Sequence, residues 1–230
     1  MAGETVEFQS NGTAAQGYLS LPAGGGKAPG VIVIQEWWGL VSHIKDVTDR
    51  FATEGFVALA PDLYHGRQTK SPDEAGKLMM ALKIDEAERD MRGAINYLLV
   101  HERVAGAQVG SVGFCMGGAL SLYAATKNEL VGACVVFYGG HPKVTYDLEN
   151  LRAPVLGLFA ERDDFATPEA ARDLQAKIES LGKEMKLHVY KDADHAFFND
   201  DRPEVYDAEA AADAWRRTTQ FLREHLSQKK

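Results

Sequence analysis

Cys115 stands between an apolar run and a glycine-rich segment in SVGFCMGGAL, residues 111–120. A thiol held out of a sharp strand-to-helix turn can attack an acyl carbonyl. Such a turn forces strained backbone angles on the nucleophile, so its neighbours must be small, and Gly113, Gly117 and Gly118 meet that demand. The N–H groups that open the following helix point into the same space, with the positive end of the helix dipole behind them, and favour negative charge on the sulfur. The bland alternative is a buried cysteine beside glycines that let a helix pack closely on a sheet.

Other residues at strand ends favour chemistry. Asp163 follows the apolar run in APVLGLFAERD, with Pro168 opening the next helix, and His195 follows KLHVYKDA. Cys115, Asp163, His195 is the chain order nucleophile, acid, histidine of the α/β-hydrolases. Asp163 would hold the imidazole in the tautomer that accepts the thiol proton, and His195 would shuttle it. Glu36 ends the all-apolar VIVIQE, where a carboxylate is costly without a partner. The N–H groups of Trp37 and Met116 are the expected oxyanion donors, each worth about 2.7 to 4 kcal/mol in the transition state. Trp38, Arg67 and Tyr138 are assigned to substrate contacts. Of the other histidines, His43, His101 and His225 fall in helical segments and are expected to face solvent, while His65, His141 and His188 lack metal-ligand spacing. With no CxxC or HExxH either, no metal or cofactor is expected.

The elements that must position these residues are legible as pattern. TVEFQ and AQGYLSLP alternate and are joined by SNGT, a hairpin signal. VIVIQE, FVALAPD, QVGSVGF, LVGACVVFYG and APVLGLFAERD are apolar throughout, as strands covered on both faces are. Helical periodicity predicts helices over 41–55, 72–82, 85–101, 169–182 and 204–226, with KLHVYKDA as a further strand. Alternating strands and helices imply an α/β fold: a mostly parallel central sheet, helices on both faces and an N-terminal antiparallel hairpin at one edge. No composition break divides residues 1–230, so one domain is expected.

A formal net charge of −8, with no basic run longer than a pair such as the terminal Lys229-Lys230, argues against nucleic acid as a partner. No apolar stretch reaches the roughly 20 residues that a membrane span needs, and MAGETVEFQSNG lacks the features of a secretion signal. Two cysteines without such a signal are expected to be free thiols, in a cytoplasmic protein that is a monomer by default and takes a small-molecule substrate.

QEWWG, APDLY, GFCMGG, ERDDFATP and DADHAFF occur in an order that closely resembles the dienelactone hydrolase family, over nearly the whole chain. The resemblance implies the α/β-hydrolase fold and a Cys115–His195–Asp163 triad that opens lactones or cleaves activated esters through an acyl-thioester. It also implies that Glu36 pairs with the resting thiol and takes its proton when substrate arrives. The family's carboxylate-bearing substrates are held by arginines after the PDLY stretch and shortly beyond the histidine. PDLYHGRQ offers Arg67, but AFFND places Asn199 and Asp200 where the second would stand, with Arg202 further on. Two other functions fit the same residues: a thioesterase or acyltransferase, and a non-catalytic ligand-binding or redox-sensing cysteine protein.

Overall fold

The computed structural model describes residues 3–10 and 12–226. Strands β1 (Glu4–Ser10) and β2 (Thr13–Ser20) form the expected hairpin, with Ser10 opposite Thr13. Asn11 of its turn lies outside the described residues, as does the Lys229-Lys230 pair. In β2, Ala15, Gly17 and Leu19 are buried while Gln16 is exposed, the alternation of a sheet edge covered on one face.

The remaining strands are β3 (Ala28–Ile34), β4 (Val57–Pro61), β5 (Val104–Phe114), β6 (Val131–Phe137), β7 (Val155–Ala160) and β8 (Met185–Tyr190). They complete one eight-stranded sheet in the order β1-β2-β4-β3-β5-β6-β7-β8. Pairing is parallel from β4 to β8, and antiparallel where β2 meets β1 and β4. The chain leaves β3 towards β4 on one side and returns to β5 on the other. A crevice opens at the carboxyl ends of strands at such a reversal. Glu36 lies just beyond β3 and Cys115 just beyond β5.

Among the described residues six α-helices, α1 (Ser42–Thr53), α2 (Pro72–Ala81), α3 (Ile84–Val100), α4 (Met116–Lys127), α5 (Pro168–Ser180) and α6 (Ala208–Leu226), surround the sheet. Adjacent residues of a strand point to opposite faces, and β5 shows which helices lie on which. A Cβ at Gly110 would meet Leu222 and Leu226 of α6 at 2.7 and 3.1 Å, whereas Ser111 Oγ meets Ser121 Oγ of α4 at 2.8 Å. α1 joins α6 on the first face, with the Phe51 and Trp215 rings 4.5 Å apart.

Helix ends follow local chemistry. Gly55 (φ +89°) closes α1, with Phe56 N–H donating to the Phe51 carbonyl and Gly55 N–H to that of Ala52. α6 begins at Ala208 instead of residue 204, because the Asp207 carboxylate accepts the N–H groups of Glu209 and Ala210, both at 3.0 Å. β5 begins at Val104, four residues before the apolar run suggested. Its first residues pair with Ala28 and Pro29 while Gly106, Ala107 and Gln108 stay exposed. Among the described residues, no helix is long and apolar enough to cross a membrane.

Candidate active site

Cys115 adopts φ 54°, ψ −120° between β5 and α4. A non-glycine residue there costs of order 1–3 kcal/mol, and the surroundings must hold it. Its N–H donates to the Phe137 carbonyl at 3.1 Å, and its own carbonyl accepts from Gly118 at 2.9 Å and Gly140 at 3.3 Å. The three nearby glycines answer a shortage of space. A Cβ would lie 1.8 Å from the Gly117 oxygen at Gly113, 2.3 Å from the Ile34 oxygen at Gly117, and 2.7 Å from the Phe137 oxygen at Gly118. The start of α4 is thus pressed against β3 and β6. Cys115 is 7% exposed and opens on a cavity of about 480 Å³, whose wall also holds Glu36, Trp37, Trp38, Asp163 and His195. The leading N–H of α4, at Met116, has no intrahelical acceptor, as in any helix. The Met116 sulfur accepts from the Tyr64 hydroxyl at 3.2 Å, fixing the side chain away from that position.

Asp163 is buried and fully engaged. Oδ2 accepts from His195 Nδ1 at 2.6 Å, and Oδ1 accepts the N–H groups of Phe165 at 2.9 Å and Ala166 at 2.8 Å. Burial would push this carboxyl up, but the His195 contact and the two backbone donors hold it below its ordinary value. His195 shows the complement. Burial pulls the imidazole down, yet the Asp163 hydrogen bond and the neighbouring Cys115 sulfur raise it to about 10. With Nδ1 turned to Asp163, Nε2 is the nitrogen left for the cavity.

Glu36 is 1% exposed, and its Oε2 accepts from Asn199 Nδ2 at 2.7 Å while Oε1 has no hydrogen-bond partner among the described residues. Asn199 is itself fixed, its Oδ1 accepting the N–H of Asp201 at 3.1 Å and its N–H donating to the Ala196 carbonyl at 2.9 Å. One loop therefore carries both the imidazole and the amide that secures Glu36. Trp37 and Trp38 pack edge to face, 5.0 Å between centroids.

Residues 15–226 match the model of the dienelactone hydrolase family. The chain belongs to that family. Protein usf of Aquifex pyrophilus is 42% identical over 233 residues, an overlap covering 98% of this chain and 100% of the relative. A protein of Aquifex aeolicus provisionally named carboxymethylenebutenolidase is 36% identical over 231 residues, covering 97% and 99%. The crystal structure of a provisionally named dienelactone hydrolase from Klebsiella pneumoniae superposes with a TM-score of 0.86 at 26% identity, covering 97% of this chain and 100% of that one. The resemblance carried by QEWWG and GFCMGG is borne out, and with it the α/β-hydrolase fold and a carboxylic-ester hydrolase.

Measured against this dienelactone hydrolase fold, three expected side chains fall elsewhere. Arg67 is not part of the cavity wall. Its backbone oxygen packs under Gly39, where a Cβ would lie 2.4 Å away, and its guanidinium turns out to Glu74 at 3.8 Å. The arginines at the cavity are Arg202, which reaches Glu204 at 2.9 Å and lies 5.9 Å above the Trp38 ring, and Arg162, paired with Asp192 at 2.5 Å. Tyr138 is fully buried at φ 37°, with its ring 5.0 Å from that of His195 and its hydroxyl unpartnered among the described residues. Burial, then the charges of Glu36 and Cys115, push its phenol well above the ordinary value. Tyr138 therefore backs the imidazole and does not line the cavity. His43 does not face solvent; it is 2% exposed, with Nδ1 3.1 Å from Asp200. Cys134 is a free thiol like Cys115, but burial pushes it up to about 11 and its sulfur sits 3.5 Å from Ser121 Oγ. No cluster of metal-ligating side chains occurs among the described residues.

Proposed function

We propose that the chain opens lactones or cleaves activated carboxylic esters through an acyl-thioester on Cys115. One observation carries this reading: a sulfur on a strained elbow shares a cavity with an imidazole anchored at 2.6 Å to a buried carboxylate. As substrate enters, the thiol proton passes to Glu36, whose Oε1 is free to take it. The sulfur attacks the carbonyl carbon, and the N–H groups of Trp37 and Met116 receive the oxyanion. Collapse breaks the C–O bond, and the imidazolium of His195 protonates the departing oxygen. Having given up that proton, the now neutral imidazole takes one from water while the hydroxyl adds to the acyl carbon. Release of the acid returns the sulfur as a thiolate. It recovers its proton from Glu36, and His195 is again charged.

Relatives support a lactone as the substrate class. The name carboxymethylenebutenolidase describes such an activity in the Aquifex aeolicus protein. A Bradyrhizobium relative, 30% identical over 243 residues, is provisionally named 2-oxo-3-(5-oxofuran-2-ylidene)propanoate lactonase. A cyclic enol ester leaves as a stabilised enolate, which suits a sulfur nucleophile.

Cys115→Ala is expected to abolish hydrolysis of an activated aryl ester and of a dienelactone while its circular dichroism and melting temperature stay near wild type. Turnover retained by that variant would remove the nucleophile. Mass spectrometry of the protein quenched during turnover of a slow ester should place the acyl group on Cys115; an adduct on Cys134 would contradict the assignment.

A further inference from the structure

A second cavity of about 440 Å³ lies beside the first, and the two share the side chain of Phe165. Phe165 is 51% exposed, and its neighbours hold it in place. Its N–H donates to the triad carboxylate at 2.9 Å, and its ring meets that of His195 edge-on at 5.7 Å. The ring also rests on Gly140 so closely that a Cβ there would lie 2.7 Å from it. Gly140 in turn donates its N–H to the Cys115 carbonyl at 3.3 Å. The partition and the floor of the second cavity are thus bonded to two members of the candidate triad.

Beyond Phe165 the walls are mostly apolar, with Val144, Tyr146 and Leu148 on one side and Ala170 and Leu174 of α5 on the other. Lys177 follows on the same face of α5, about 10 Å along the axis from Ala170 at 1.5 Å per residue. An apolar channel with a single cation selects a chain that is apolar along its length and anionic at its tip.

We infer that this groove is the acyl subsite of the hydrolase and takes an unbranched apolar arm ending in a carboxylate. The inference rests on the ester-hydrolase reading above. The scissile carbonyl sits at Cys115, the arm crosses over the exposed side of Phe165 from one cavity into the other, and its terminal charge meets Lys177.

The test compares kcat/KM of the full chain for the nitrophenyl esters of acetate and octanoate and the mono-nitrophenyl ester of octanedioate. Leu174→Trp fills the groove away from the triad and should lower the octanoate-to-acetate ratio about tenfold. Lys177→Met should erase the preference for the octanedioate ester over octanoate, and Lys177→Glu should reverse it. Lys177 is exposed, so these two variants keep the test open if Leu174→Trp fails to fold. Ratios unmoved by the Lys177 variants overturn the subsite. Calorimetric binding of octanedioate to Cys115→Ala protein separates the two readings. Binding that Lys177→Glu abolishes supports the groove even if no ester is turned over, and absence of binding to any variant overturns it while leaving the ester chemistry of Cys115 standing.

Discussion

At the scale of single residues, Asn199 is the side chain that sequence reasoning did not select. Where a second carboxylate-holding arginine was sought, an amide holds Glu36 instead, and both groups are buried. A neutral donor fixes one oxygen of Glu36 without neutralising it and leaves the other facing no partner among the described residues. Asn199→Asp keeps the shape but sets a second carboxylate 2.7 Å from the first. A lost hydrogen bond to a charged group costs about 1.5–3 kcal/mol, so kcat/KM for an activated ester should fall at least tenfold to a hundredfold. Steady-state kinetics beside a melting curve decide this; a variant with wild-type kcat/KM would mean that Glu36 needs no anchor. Asn199 gave no signal because the bond joins residues 163 positions apart, and no local pattern announces such a pair. Cys115, Asp163 and His195 were legible because each follows a strand and their order is specific.

Strands and helices set the geometry of the elbow. Cys115 holds its positive φ because α4 starts within van der Waals contact of β3 and β6, leaving no room for a side chain at Gly117. Gly117→Ala would place a methyl 2.3 Å from the Ile34 carbonyl oxygen, which neither strand nor helix can avoid without moving. Overpacking of a rigid core typically costs 1–3 kcal/mol, and backbone contact lies at the upper end, about 3 kcal/mol. Chemical denaturation should show that loss, with activity falling further than stability as the elbow shifts; an unchanged midpoint would refute the close packing. Element positions were readable from apolar runs and helical spacing, while several boundaries and facings were not. His43 is polar and sits in an amphipathic helix, so solvent was the natural expectation. It is buried because Asp200, from the loop that follows His195, supplies its partner. Arg67 points away from the cavity because its backbone is packed beneath Gly39, a contact between two loops.

For the molecule as a whole, the anchored imidazole couples folding to pH. His195 is raised to about 10 in the folded chain, against about 6.5 for an unperturbed histidine. Between those values the folded state binds more protons than the unfolded state, so this contribution to stability is complete below about 6.5 and declines as pH rises towards 10. Asp163, held low, contributes above the ordinary carboxylate range and loses its contribution on acidification. The melting-temperature gap between wild type and His195→Gln should therefore narrow steadily from neutral pH to about pH 10. A gap independent of pH would show that the imidazole is not held charged.

The sequence by itself determined the class of fold, the edge hairpin and the triad candidates, because apolar periodicity and glycine placement are local consequences of burial and backbone sterics. It also carried the family, through motifs spread along nearly the whole chain. Only the tertiary structure decided which arginines reach the cavity, that Asn199 secures Glu36, that Tyr138 supports His195 from behind, and that Phe165 divides two compartments. Those are contacts between loops distant in the chain. Their partners are chosen by how the strand ends converge, and nothing in the spacing of residues along one segment encodes that convergence.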